Sequence, residues 1–219
     1  MMHEGYDWSA VRGFNYQPSY GSTSMENWRC YDPNVAELEL RRGKEYFPKF
    51  NVVRYWLSWD AYVRDPKKFG TDFETSLRIA DRLGLKVIAC LFNRWHNDFV
   101  DCGGVYLDQI IPGSNWAYRE HFYRDYFDDI VKPHRDDERV LLWDICNEPF
   151  SYYNSLEQMG DIVNYEKAWL TEMYEYLKAL GTQQPLAVSP HNGADGPAPM
   201  LTFDLSDVLL LHPYYVGEQ

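Results

Sequence analysis

The chain has 219 residues, 45 % of them apolar and 25 % charged, the balance of a globular protein long enough to bury one large core. Its net charge of −12 repels polyphosphates and anionic headgroups, which excludes nucleic acid and membrane surfaces as expected partners. No run approaches the ~18 apolar residues of a membrane-spanning helix.

Met1 to Tyr6 show neither the basic start nor the apolar run of a secretory signal. A soluble protein is expected, cytoplasmic or secreted after removal of such a signal, with residues 1–219 forming one domain. The four cysteines, Cys30, Cys90, Cys102 and Cys146, have no CxxC spacing and so read as neither a metal nor a redox set. A Cys30–Cys102 disulfide between loops is conceivable. Aromatic residues reach 17 %, including 18 Tyr and 8 Trp, and many stand in polar loops. Sugar rings stack their apolar faces on aromatic rings, and Tyr and Trp add a polar handle for hydroxyls. Ordinary core packing is the alternative use.

Val11 to Tyr16 is the first predicted strand, followed by a long polar and aromatic loop from Gln17 to Pro33. Asn34 is expected to cap a helix carrying Val35, Leu38 and Tyr46. Asn51 to Leu57 is the second strand, with Arg54 in the middle of an apolar run. A buried Arg requires a carboxylate partner; an outward-facing Arg is the alternative. Ser58 to Tyr62 then reads as an aromatic loop. Thr71 and Glu74 have the spacing of a capping box ahead of Phe73, Leu77, Ala80 and Leu83, and Gly84 stops that helix. Lys86 to Phe92 is the third strand, running into Asn93-Arg-Trp-His-Asn-Asp98 and a long loop. Trp116 to Val131 predicts a third helix. A fourth, marked by Ile162, Trp169, Met173, Leu177 and Leu180, closes at Gly181. Pro185 to His191 and Asp207 to Tyr215 complete the strands as the fifth and sixth.

The fourth strand, Val140-Leu-Leu-Trp-Asp-Ile-Cys-Asn-Glu-Pro-Phe150, organises the rest. Its continuous apolar run reads as a strand buried on both faces, as in parallel sheets. Pro149 lacks an N–H and disfavours helix at Glu148, so the strand must stop there. Asn147 and Glu148 are thereby placed at the carboxyl end of a buried parallel strand, where catalytic side chains of α/β barrels sit. A solvated carboxylate capping the next loop is the alternative. Strands alternate with helices along most of the length, and no glycine fingerprint for nucleotides follows any strand. Polar residues follow the ends of strands two to six alike, which favours a barrel over an open sheet.

Asn147-Glu148-Pro149, Arg54 on the second strand and His212-Pro-Tyr214 on the sixth together resemble the (β/α)8 enzymes of glycoside hydrolase clan A. The cellulase and mannanase type, glycoside hydrolase family 5 and its neighbours, is most similar. The resemblance implies a retaining β-glycosidase acting on β-linked mannan or glucan, with Glu148 as general acid/base and no cofactor. It further implies that Asn147 bonds the sugar 2-hydroxyl, and that Arg54, His212 and Tyr214 surround the nucleophile. His96 and, by position only, His191 would line the sugar site; as loop residues with satisfied hydrogen bonds they would do neither. Trp59, Tyr62, Trp95 and Trp116 would form stacking subsites. In the family the nucleophile is a Glu ending strand seven, whereas Gln219 follows closely on strand six. The expectation is therefore a TIM barrel present as roughly its first six βα units, with unpaired edges at strands one and six and Arg54 facing an empty site. The missing part of the barrel is an expected partner beside the carbohydrate.

Two other readings remain open. One is a glycan-binding protein on a dead hydrolase fold. The other is a barrel enzyme in which Glu148 is a lone base or, with His96, His191 and His212, a metal ligand; the Arg–Glu logic favours sugar, so no metal is expected.

Overall fold

The computed structural model describes residues 6–94, 105, 107–112, 123–151, 155–191 and 197–213. Five parallel strands form one sheet in sequential order: β1 (Gly13–Tyr16), β2 (Val52–Trp56), β3 (Lys86–Asn93), β4 (Val140–Asn147) and β5 (Leu186–Ser189). Among the described residues each pairs with its sequence neighbours alone. Helices connect the strands, which is the βα repeat of a (β/α)8 barrel. Among the described residues the sheet does not close on itself.

The two faces of the sheet carry different side chains because successive residues of a strand point to opposite sides. Val53, Tyr55, Val87, Ala89, Leu91, Trp143, Ile145 and Val188 face the helices and join the main core. The opposite, concave side holds a smaller apolar cluster of Val52, Ile88, Leu142 and Ala187. Two residues further along the same strands stand Arg54, Cys90, Asp144 and Ser189. The concave side thus rises from an apolar layer to a polar one as it approaches the carboxyl ends of the strands.

The long helix Pro66–Arg82 packs Phe69, Phe73, Leu77, Ile79 and Ala80 against the sheet. Its start differs from the expected capping box at Thr71. The Asp65 carboxylate accepts from the Lys68 N–H and Pro66 occupies the first turn, a stronger start because Pro is pre-set for that position. Thr71 instead sits one turn inside the helix and donates its hydroxyl to the Lys67 carbonyl at 2.9 Å. The same logic moves the cap of helix Pro33–Tyr46 from Asn34 to Asp32, whose side chain accepts from Asn34 and Val35. Ser58 caps a short helix, Trp59–Arg64, where an aromatic loop was expected, and a further short helix, Ser24–Arg29, interrupts the loop after β1. Of the predicted helix 116–131, residues 123–131 are described, and Phe127–Val131 takes the wider π form. Cys30, Cys90 and Cys146 are free thiols, which removes Cys30 from the conceivable disulfide; Cys102 lies outside the described residues.

Among the described residues the sixth strand appears as one parallel bridge, His191 to His212. On the edge of β5 the Asp207 N–H donates to the Leu186 carbonyl at 2.7 Å, but side chains take the strand's N–H donors. The Leu186 N–H donates to the Asp207 carboxylate at 2.8 Å and the Val188 N–H to the Ser206 hydroxyl at 3.1 Å. Those are the donors that a neighbouring strand would use.

Candidate functional site

Glu148 immediately follows β4, with its N–H donating to the Ser189 carbonyl at 2.7 Å. Its φ of 49° lies in the left-handed region, and Phe150, two residues on, has φ 59°. Pro149 separates them and supplies no donor. This turn directs the Glu148 carboxylate, 4 % exposed for the residue as a whole, into a cleft of about 490 Å³ at the carboxyl end of the sheet. Asn15, Arg54, Trp56, Asn147, His191 and His212 line the same cleft. Among the described lining residues Glu148 is the one carboxylate.

His212 Nδ1 lies 2.8 Å from Glu148 Oε1. The bridge between His191 and His212 brings both imidazoles to the rim. Asn147 donates through Nδ2 to Asn93 Oδ1 at 2.8 Å and accepts from Arg54 Nη2 at 2.9 Å. Each end of an amide has a second N–H or lone pair, so this orientation leaves Asn147 able to bond a ligand hydroxyl.

Arg54 is held from four sides. Its guanidinium donates to Asp144 Oδ2 through Nη2 at 2.6 Å and Nε at 3.1 Å, to Asn15 Oδ1 at 2.8 Å and to Ser189 Oγ at 3.3 Å. It also lies 5.6 Å from the Trp56 ring centroid, within cation–π range. Ser189 in turn donates to Asp144 at 2.8 Å. The expectation that a buried Arg54 has a carboxylate partner is met by Asp144, and Arg54 also lines the cleft. A buried guanidinium is costly without a counter-charge, and the carboxylate two residues above Leu142 on β4 supplies it. Burial pushes the Cys90 thiol of the same layer far above its usual range, which keeps it neutral and unsuited to act as a nucleophile.

Of the residues expected at the site, Glu148, Asn147, Arg54, His191 and His212 converge. His212 stands against Glu148 itself; no second carboxylate in the cleft meets it among the described residues. Trp59 does not reach the cleft: as the first residue of the helix that Ser58 caps, it packs against the main core. Trp56 takes its place in the lining. Tyr62 is turned away as well, buried with its hydroxyl on Asp129 at 2.7 Å. Trp95, His96, Trp116 and Tyr214 lie outside the described residues. Asn15, Trp56, Asp144 and Ser189 were not anticipated. An acid inside an otherwise apolar strand, as Asp144 is, would have identified the partner of Arg54.

A parallel βα sheet with its polar cleft at the strands' carboxyl ends defines the protein as a (β/α)8-barrel type. The family model described as Cellulase (glycosyl hydrolase family 5) matches residues 46–200, so the chain belongs to glycosyl hydrolase family 5 and is a glycosidase by lineage. No curated protein matches it in sequence. A solved structure described as GH5_18 from Streptomyces cattleya in complex with GlcNAc is similar, with TM-score 0.63 and 14 % identity over 83 % of this chain and 44 % of that one. The exo-β-1,4-mannosidase of Opitutaceae bacterium strain TAV5 is similar with TM-score 0.63 and 17 % identity over 91 % and 37 %. An endo-1,4-β-mannanase from Eisenia fetida follows with TM-score 0.51 and 14 % identity over 81 % and 56 %. At these identities the likeness is one of fold. The chain spans between 37 % and 56 % of these proteins' lengths.

Proposed function

We propose that the cleft is the acid/base half of a retaining β-glycoside hydrolase site for β-linked mannan or glucan, with Glu148 as general acid/base. The observation that carries the reading is the placement of Glu148 at the end of β4, directed into the cleft with His212 Nδ1 at 2.8 Å. As an acid Glu148 would protonate the leaving glycosidic oxygen, and as a base it would then activate water. Asn147 would bond the sugar 2-hydroxyl through its second amide N–H or lone pair, an interaction that strengthens in the transition state. Arg54, fixed by Asp144, would present fixed positive charge beside the reacting centre, and Trp56 and His191 would contact the ring. Retention requires a second carboxyl group about 5–5.5 Å from the first. In this reading it comes from strand seven of the barrel, and the remaining βα units are the partner that completes the site.

The test is release of reducing sugar from β-mannan, β-glucan and cellulose by the chain alone and with the remaining units supplied, with Glu148→Gln as control. Turnover that Glu148→Gln abolishes without loss of fold is expected. Turnover that survives Glu148→Gln would sink the assignment. A second reading, glycan binding without hydrolysis, is favoured by the single carboxylate lining the described cleft. It predicts calorimetric binding of β-linked oligosaccharides with no sugar release under either condition.

A further inference from the structure

Behind the turn that directs Glu148 lies a buried ion pair that does not line the cleft. Glu166, on the helix Asp161–Ala179, is fully buried. Its Oε1 accepts from Arg94 Nε at 2.8 Å and from the Phe150 N–H at 3.2 Å. Arg94, 3 % exposed, ties the pair to the ends of two strands. Its own N–H donates to the Asn147 carbonyl at 2.9 Å, and its guanidinium donates to the Val105 carbonyl. The Ser151 hydroxyl closes the turn onto the Glu148 carbonyl at 2.7 Å.

Two non-glycine residues in left-handed backbone within three positions store about 1 kcal/mol or more each, and they persist only when the surroundings over-determine them. At Glu148 the restraint is the N–H bond to β5. At Phe150 it is the bond to Glu166. Stability alone gives a poor account of such a pair, because a buried ion pair often contributes no more than apolar residues of similar volume. What apolar residues could not supply is an acceptor for the Phe150 N–H, and a charged acceptor makes the stronger bond.

We propose that Glu166, held by Arg94, is a positioning residue: it locks Phe150 in the left-handed conformation and so fixes the direction in which Glu148 projects. The proposal rests on Glu148 being the acid/base of the cleft, and the two can fail separately. Neither Arg94 nor Glu166 is among the residues lining the cleft, so their removal is expected to alter kcat and leave KM nearly unchanged.

The test compares the full chain with Arg94→Met/Glu166→Met, which removes both charges of the pair together, and with Glu166→Gln, which keeps an oxygen for the Phe150 N–H. Turnover is read on the oligosaccharide that the wild-type chain, completed if necessary by the remaining units, cleaves fastest. Stability is read by urea unfolding, and the turn by the crystal structure of each variant. The double variant is expected to fold and to lose about a hundredfold in kcat, the scale of a misplacement near 1 Å; Glu166→Gln recovers most of that loss. Unchanged kcat in the folded double variant, or a loss in Glu166→Gln as large as in the double variant, overturns the proposal. If the wild type shows no turnover, the acid/base reading is what fails. The structures then decide the positioning role. Phe150 and Glu148 leaving the left-handed region in the double variant supports it, and their staying there with the His212 contact intact overturns it.

Discussion

Arg54 and Asp144 show how one buried residue obliges another. Their side chains are 11 % and 0 % exposed, and neither has bulk water to fall back on. Removing Arg54 strands a buried carboxylate, which typically destabilises by about 3–5 kcal/mol. Arg54→Met is expected to lower stability by that order in urea unfolding, while Arg54→Met/Asp144→Leu recovers much of it because no charge is left unpaired. If the double variant is no more stable than the single one, the pair is not the reason for the loss. Ser189 and Asn15 complete the same arrangement from β5 and β1, so the guanidinium's position is set by three strands besides its own.

The starts of the helices are decided by short polar side chains and proline. Asp65→Ala is expected to cost about 1 kcal/mol in thermal or urea unfolding, the usual loss for an N-cap carboxylate. Thr71→Ala, an exposed change inside the same helix, is expected to stay within about 0.5 kcal/mol. The reverse ranking would put the helix start at Thr71 after all. The helix Asp161–Ala179 carries a different lesson. Glu166 falls on the same stripe as Trp169, Leu170, Met173 and Leu177, all buried. An acid on the apolar face of an amphipathic helix marks a partner elsewhere in the fold, here Arg94 and the Phe150 N–H.

Over the whole molecule, ion pairs tie the amino end of the sheet as Arg54–Asp144 and Arg94–Glu166 tie its carboxyl end. Glu74, from helix Pro66–Arg82, pairs with Arg139 at 2.8 Å just before β4, with Arg78 at 2.7 Å and with His134 at 3.2 Å. The hydrogen bond from Arg139 leads the causes that hold the Glu74 carboxyl at about 2, outweighing the opposing effect of burial. A carboxylate depressed in the folded state contributes stability above its unfolded value, near 4.3, and loses it as pH falls through the folded one. Between about pH 5 and pH 2 the wild type should therefore lose stability more steeply than Glu74→Gln. Equal slopes in urea unfolding across that range would mean that Glu74 is not linked to folding. At the β1 edge, Phe14, Tyr46 and Phe47 stand 40 %, 77 % and 61 % exposed around a groove of about 610 Å³. Exposed apolar surface of this kind along an edge strand marks a surface suited to being covered.

Local chemistry in the sequence was enough to establish the βα alternation, the buried fourth strand and the stop at Pro149, because apolar runs and proline act within a few residues. It also put Asn147 and Glu148 at the carboxyl end of the fourth strand, while Arg54, inside the second strand, and His191 and His212 were tied to the site through the family resemblance. Other features depended on which groups meet across long sequence separations. Asp144 became the partner of Arg54 from 90 positions away, and Glu166 reached Arg94 across 72. Side chains of Ser206 and Asp207 took the edge donors that a sixth strand would have used, though its apolar pattern reads as a strand. The tertiary structure decided these because a buried charge or N–H must find a partner wherever the fold supplies one, and periodicity records only that a residue is buried.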